Sequence, residues 1–368
     1  RSDVFVEMFK PVLEGVKRIL KSDDAEALIF PSTGTGAGEA AITNTLSPGD
    51  KVLIGRWGMF SHRWIDMCER HGLDVKIIEA EWGSGVPLDA YGEALREDVD
   101  HQIKAVLVTH NETATGVRSS ISSVRDIMNK ANHPALLFVD GVSSIASMDF
   151  RMKEWEVDIA ITGSQKGFML PAGLAILGVS PKAIAAMETA KLPRTFFDFR
   201  DMLASNVKGG FPYTPPLQLI RGLGRSIEML EEEGLPQVFA RHHRLASGVR
   251  CAVQAWGLKL CAKTPDLYSD TVSAIVVPDG FDGTKLVTHA ADKYGVTFGV
   301  GLGDVAGIVF RIGHLGSLTD VMILAGLSAI EMAMLDQGYP IQNGNGVAAA
   351  QEYFRTSWSH DNTERKAA

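Results

Sequence analysis

Seven short apolar runs, at 27–30, 51–54, 75–78, 105–109, 135–139, 159–162 and 174–179, alternate with stretches whose apolar residues recur at helical spacing. Runs this short and this apolar read as strands buried on both faces, with crossover helices returning the chain to the same edge. The pattern predicts an α/β protein on a mostly parallel seven-stranded sheet with flanking helices. One intervening stretch, His62-Arg63-Trp64-Ile65-Asp66-Met67-Cys68-Glu69-Arg70, has helical spacing, stops at Gly72, and is read as a crossover helix. In open sheets of this kind ligands collect beyond the carboxyl ends of the strands, so the residues that follow each run carry the chemistry.

At 368 residues the chain has room for a large core and a smaller appendage. After Leu192-Pro193 the alternation breaks into Gly209-Gly210-Phe211-Pro212-Tyr213-Thr214-Pro215-Pro216, a turn-rich loop that opens a helix from about 217 to 233. We place a domain boundary there: 1–234 as a large domain, 235–345 as a smaller α+β domain with strand candidates at 273–277 and 309–312, and 346–368 as a tail in which a helix frays.

Hydrophobic residues at 45%, charged residues at 22% and a net charge of -8 describe a globular protein and exclude a disordered or collagen-like one. The absence of a long Lys/Arg run or an aromatic-basic stripe argues against a nucleic-acid partner. The longest apolar helix candidate, 321–335, contains Glu331 and is too short to cross a bilayer, so no membrane partner is expected. Cys68, Cys251 and Cys261 are odd in number and lack metal-ligand spacing, which predicts no metal site and a reducing compartment, the cytoplasm. The chain begins Arg1-Ser2-Asp3, with neither an initiator methionine nor a secretory signal, so residues upstream are expected.

Two strand ends stand out. The run at 159–162 is followed by Gly163-Ser164-Gln165-Lys166, which delivers an amine to the sheet edge, and the run at 135–139 is followed by Asp140. An amine and an acid at one edge suit an aldehyde cofactor with a basic ring nitrogen, pyridoxal 5'-phosphate. The amine forms an imine, and the carboxylate keeps the ring nitrogen protonated so that electrons released from a substrate carbon can drain into the ring.

Other segments fit the same reading. Pro31-Ser32-Thr33-Gly34-Thr35-Gly36-Ala37-Gly38-Glu39 follows the first run and opens a helix, whose backbone N–H groups can hold a phosphate, with Thr33 and Thr35 as further donors. The same glycines allow a dinucleotide turn. The following strand ends in Gly55-Arg56 rather than an acid, which disfavours NAD and leaves NADP as the rival ligand. In His110-Asn111-Glu112-Thr113-Ala114-Thr115-Gly116, Thr113 is a candidate donor to the cofactor, whereas His110 and Glu112 read as structural. Either Phe60 or Trp57 can stack on a flat ring. Arg311, flanked by Phe310 and Ile312, is costly to bury without an anion, and a substrate carboxylate or a protein carboxylate meets that need.

Taken together, Ser32-Thr33-Gly34-Thr35-Gly36, Val139-Asp140-Gly141-Val142-Ser143-Ser144, Thr162-Gly163-Ser164-Gln165-Lys166-Gly167 and Phe310-Arg311-Ile312-Gly313 resemble the class V aminotransferases of PLP fold type I. Phe60-Ser61-His62-Arg63-Trp64 and Pro212-Tyr213-Thr214-Pro215-Pro216 are most similar to the serine- and aspartate-glyoxylate branch. The resemblance implies Lys166 as imine lysine and acid/base, and Asp140 on the ring nitrogen. It also implies Phe60 and Val142 on the two ring faces, Thr33, Gly34, Thr35 and Gln165 on the phosphate, Thr113 near the ring oxygen, and Arg311 on the substrate carboxylate. Tyr213 and Thr214 would reach into the site of a partner subunit, making the active unit a homodimer.

The activity so implied is transfer of an amino group from an L-amino acid, aspartate first and serine second, to glyoxylate. The products would be glycine and a 2-oxo acid. Arg56, Arg194 and Lys208 are candidates for a second cation that an aspartate donor would want. Alternatives within the class are alanine-glyoxylate or pyridoxamine-pyruvate transfer and a lyase of the cysteine desulfurase kind. The lyase needs a mobile cysteine and usually carries His where Gln165 stands. Outside the class remain an NADP-dependent oxidoreductase and a catalytically silent relative of the same fold.

Overall fold

The computed structural model describes residues 3–357. All seven apolar runs lie in one sheet, as β1 Glu26–Ser32, β2 Lys51–Arg56, β3 Asp74–Glu79, β4 Ile103–Thr109, β5 Leu136–Asp140, β6 Ile159–Gly163 and β7 Gly173–Val179. Their spatial order is β1-β7-β6-β5-β4-β2-β3. Pairing is parallel from β6 through β5, β4 and β2 to β3. Only β7 runs against the rest, antiparallel to both β1 and β6. The continuous apolar character of the runs has a direct cause: Leu28, Ile29, Phe30, Leu137, Phe138, Val139, Ile176 and Leu177 are all buried, because helices cover both faces.

The helix Gly34–Thr45 is built mostly of small residues and is buried along most of its length. A Cβ at Gly38 would lie 2.8 Å from Met67 Cε and 3.3 Å from the Trp64 ring, so this helix packs closely against the helix Met59–Arg70. The amphipathic helix Asp3–Leu20 lays Phe5, Phe9, Val12, Val16 and Leu20 onto the same core.

Register sets the strand ends beside one another. Thr109 pairs with Asp140, and Asp140 with Ile161. The segments after β4, β5 and β6, each singled out in the sequence, therefore emerge side by side at one edge.

A second hydrophobic cluster runs from Leu245 to Phe354, separate from the large one that runs from Phe5 to Val238. It surrounds an antiparallel sheet of Lys259–Leu260, Val272–Val276, Val309–Gly313 and Gly299–Val300. The helix Leu217–Glu233 ends at Gly234, whose φ of 84° lies in the left-handed region, and the helix Leu235–Ala255 starts directly after it.

The expectation of a fraying tail over 346–368 is corrected in its first part. Residues Asn345–Thr356 form a helix whose Ala350 and Phe354 are buried in the second core. Phe354 fits because Gly248 faces it; a Cβ there would lie 2.1 Å from the ring. The rest of the expected tail, from 358, lies outside the described residues. No helix among the described residues is long and apolar enough to cross a membrane.

Candidate active site

Lys166 sits in the loop that joins β6 to β7. Ser164 latches this loop, its hydroxyl donating to the Pro171 carbonyl at 2.8 Å and accepting from Leu174 N at 3.1 Å. Gly167 presses the backbone against the Ile145 carbonyl, which a Cβ would meet at 2.1 Å. The amine is thus held on a fixed base. Burial lowers its proton affinity first, the Arg311 charge lowers it further, and Asp140 opposes both.

Asp140, at the end of β5, accepts from Val142 N at 2.9 Å. Burial pushes its carboxyl up to about 6, while Arg63 and Lys166 pull the other way. The Trp64 indole also favours the carboxylate. A buried acid under this strain gains from a cationic ring nitrogen.

The glycine turn lies against the same residues. A Cβ at Gly34 would approach Val142 Cγ2 to 2.5 Å, and a Cβ at Gly163 would lie 3.5 Å from Gly34 N. Thr33 precedes the helix Gly34–Thr45 without a side-chain capping bond, which leaves the first-turn N–H groups and its own hydroxyl for an anion. Thr35 Oγ1 accepts from Arg63 Nη1 at 3.3 Å, and the same guanidinium stands 5.0 Å from the Phe60 ring centroid. Buried polar atoms at this edge lack partners: Gln165 Oε1, Thr109 Oγ1 and Thr162 Oγ1. Orphaned acceptors and hydroxyls around a helix N-terminus, with a buried acid and an amine nearby, fit a phosphorylated aldehyde with a basic ring.

Trp57 and Phe60 separate by burial. Trp57 is buried, and its ring fills the space where Gly55 would carry a Cβ, 2.5 Å away. Phe60 is half-buried at the first turn of the helix Met59–Arg70. Thr113 Oγ1 donates to Ser143 Oγ at 2.8 Å, and its carbonyl accepts from Arg311 Nη1 at 3.1 Å. Arg311 Nε donates to Val300 O at 2.9 Å, and burial lowers the guanidinium's proton affinity.

Tyr213 and Thr214 stand on a separate loop. The Tyr213 hydroxyl donates to Thr195 O at 2.9 Å and its ring stacks on Phe196 with centroids 4.8 Å apart, while Thr214 is exposed. Of the cations weighed for a distal carboxylate, Arg56 is paired through Nε and Nη2 with Glu79, and Arg194 donates to main-chain carbonyls beside Asp198. Lys208 is exposed. His110 is buried, pushed down to about 3 by that burial, and bonded to Ser144 Oγ at 2.9 Å. The part played by Glu112, which accepts from Phe60 N and Ser61 N, is not visible in sequence because its donors lie about 50 positions upstream. Burial raises the thiols of Cys68, Cys251 and Cys261, the opposite of what a nucleophilic cysteine needs.

Comparisons with known proteins give the family. The chain is 64% identical over 368 residues to an L-aspartate–glyoxylate aminotransferase of Paracoccus denitrificans, covering 100% of this chain and 92% of that protein. It is 56% identical to a serine–glyoxylate aminotransferase of Hyphomicrobium methylovorum, over 96% of this chain and 88% of that one. The crystal structure of pyridoxamine-pyruvate aminotransferase from Mesorhizobium loti superposes with a TM-score of 0.89 at 28% identity, covering 97% of this chain and 91% of that chain. With the family model "Aminotransferase class-V" matching residues 2–307 as well, the chain belongs to the class V aminotransferases.

Proposed function

We propose that this protein transfers the amino group of an L-amino acid, aspartate before serine, to glyoxylate, giving glycine and a 2-oxo acid. The observation that carries the reading is the convergence on Lys166, whose amine feels both the Asp140 carboxylate and the Arg311 guanidinium. The relatives named for aspartate and serine as donors and glyoxylate as acceptor support the choice of substrates.

Pyridoxal 5'-phosphate, when bound, supplies an aldehyde that condenses with amines and a cationic ring that accepts electrons from a substrate carbon. Thr33, Gly34, Thr35 and Gln165 would hold its phosphate, Phe60 and Val142 its two faces, Asp140 its ring nitrogen, and Thr113 would sit near its ring oxygen. Arg311, anchored by Val300 and Thr113, presents its remaining N–H groups to the substrate carboxylate and so fixes the Cα–H bond relative to Lys166. The Lys166 amine, made less basic by burial, accepts the Cα proton and returns it on the acceptor side of the reaction.

The active unit in this reading is a cytoplasmic homodimer, with Tyr213 and Thr214 of each subunit completing the other's site. Support comes from Thr214's exposure and from the three free cysteines. The division into units 1–234 and 235–345 is part of the same reading and is supported by the two separate hydrophobic clusters.

The test is a half-reaction. Protein loaded with pyridoxal phosphate should lose its long-wavelength absorbance band on addition of L-aspartate or L-serine and regain it with glyoxylate. A colourless protein that takes up NADPH would overturn the cofactor, and conversion by pyridoxamine alone would overturn amino-acid transfer.

A further inference from the structure

Glu112 is a fully buried acid with no part in the proposed reaction. It lies one residue before Thr113, yet its carboxylate turns away toward the start of the helix Met59–Arg70. Oε2 accepts from Phe60 N at 3.0 Å and from Ser61 N at 2.9 Å, and Oε1 accepts from Ala114 N at 3.1 Å. The first-turn N–H groups of a helix have no partner within it, and a carboxylate there also meets the positive end of the helix dipole. The helix has no capping side chain at Gly58, the residue that normally supplies one. Gly58 instead makes room: a Cβ would lie 2.2 Å from Glu112 Cδ. Its φ of 176° is ordinary extended backbone, so space alone requires the glycine.

The residue that follows completes the connection. The Thr113 carbonyl accepts from Arg311, and its hydroxyl donates to Ser143 in the loop after β5. One carboxylate therefore links the backbone that carries Phe60 to the backbone that anchors Arg311. From these contacts we propose that Glu112 is a positioning residue, which holds the aromatic wall at Phe60 and the substrate-carboxylate clamp at Arg311 in one fixed relation. The inference rests on the transaminase reading, in which Phe60 faces the cofactor ring and Arg311 the donor.

The experiment uses the full-length holoenzyme and two variants that disturb the contact from opposite sides, Glu112→Gln and Gly58→Ala. The amide keeps the side chain's shape but replaces one acceptor oxygen with a donor that faces the N–H groups. The added methyl displaces an intact carboxylate. Measured for each are the dissociation constant for pyridoxal phosphate, the visible circular dichroism of the cofactor at saturation, and KM and kcat for L-aspartate. Both variants should bind the cofactor about tenfold more weakly, raise KM by about tenfold, and show a weakened dichroic band at full occupancy. Glu112→Asp should fall between Glu112→Gln and the wild type. If Glu112→Gln yields no folded protein, Gly58→Ala decides. Variants that melt at lower temperature but keep the dichroic band, the dissociation constant and KM within about twofold of the wild type would make Glu112 a structural cap and overturn the inference. Failure of the wild type itself to bind pyridoxal phosphate would instead overturn the reading beneath it.

Discussion

Arg311 Nη1 donates to the Thr113 main-chain oxygen at 3.1 Å and its Nε to the Val300 main-chain oxygen at 2.9 Å, so the guanidinium is aimed by main-chain acceptors. Such an arginine keeps its charge for a ligand. Arg311→Ala should raise KM for the amino donor roughly 10- to 100-fold, the range that corresponds to loss of a charge-assisted hydrogen-bond pair. Arg311→Lys should fall between, because an ammonium lacks the planar fork. Steady-state kinetics with L-aspartate and L-serine checks this, and an unchanged KM would move the carboxylate site elsewhere.

Lys166→Ala removes the amine whose charge acts on Asp140. The variant should lose the long-wavelength band of the bound cofactor, and turnover should fall about 10²- to 10⁴-fold, the contribution typical of a positioned proton-transfer group. Spectra of the purified variant reconstituted with pyridoxal phosphate give the answer. A variant that kept both band and turnover would contradict the assignment.

Gly34 is close to Val142, and an added methyl would meet Cγ2 at 2.5 Å. Gly34→Ala should cost about 1–3 kcal/mol, as overpacking typically does, and should appear as weaker cofactor binding because the turn and the ring-facing valine are forced apart. A binding titration that gave the wild-type constant would show that the turn can shift freely.

If each site takes Tyr213 from the partner, mixed dimers report it. Lys166→Ala and Tyr213→Ala should each be impaired alone. After unfolding and joint refolding, half the dimers pair one of each, and each such dimer has one intact site, so activity should recover to roughly a quarter of the wild type. No recovery would place the whole site within one chain.

Burial raises Glu112 to about 7 and Asp140 to about 6, above the ordinary range for either acid. Between ordinary and raised values the folded apoprotein holds protons that the unfolded chain has released. The contribution of these two acids to stability should therefore fall as pH rises from about 5 to about 8, while the buried imidazoles of His110, His242 and His314, pushed down to about 3, about 4 and about 3, contribute the opposite slope below about 6.5. The Glu112 share is read as the difference in melting temperature between the wild type and Glu112→Gln, which should shift against the wild type as pH rises through that interval. A difference that shifted in favour of the wild type with rising pH would contradict the sign.

The sheet was legible because its strands are buried on both faces, and 135–139 or 174–179 cannot be read as amphipathic. Lys166 and Asp140 were legible because polar groups directly follow such runs. Other features needed the fold. Trp57 and Phe60 are near neighbours in the chain and differ in burial, which no local pattern encodes. Arg56 is an unassigned cation in sequence and an ion-pair partner of Glu79 across adjacent parallel strands in space. The docking of the helix Asn345–Thr356 escaped because its small and polar residues hide an anchor reduced to Ala350 and Phe354. Glu112 looked like a loop residue, since the N–H groups it serves belong to a different crossover.

Lys166 stands in a loop of the larger core's sheet and Arg311 in a strand of the smaller one's, yet the guanidinium charge weakens the amine as a base. In the proposed reaction a carboxylate docked on Arg311 would cancel that charge locally. Base strength at Lys166 would thereby be tied to occupancy: the nitrogen would gain proton affinity when a donor arrives to be deprotonated and lose it when the donor leaves.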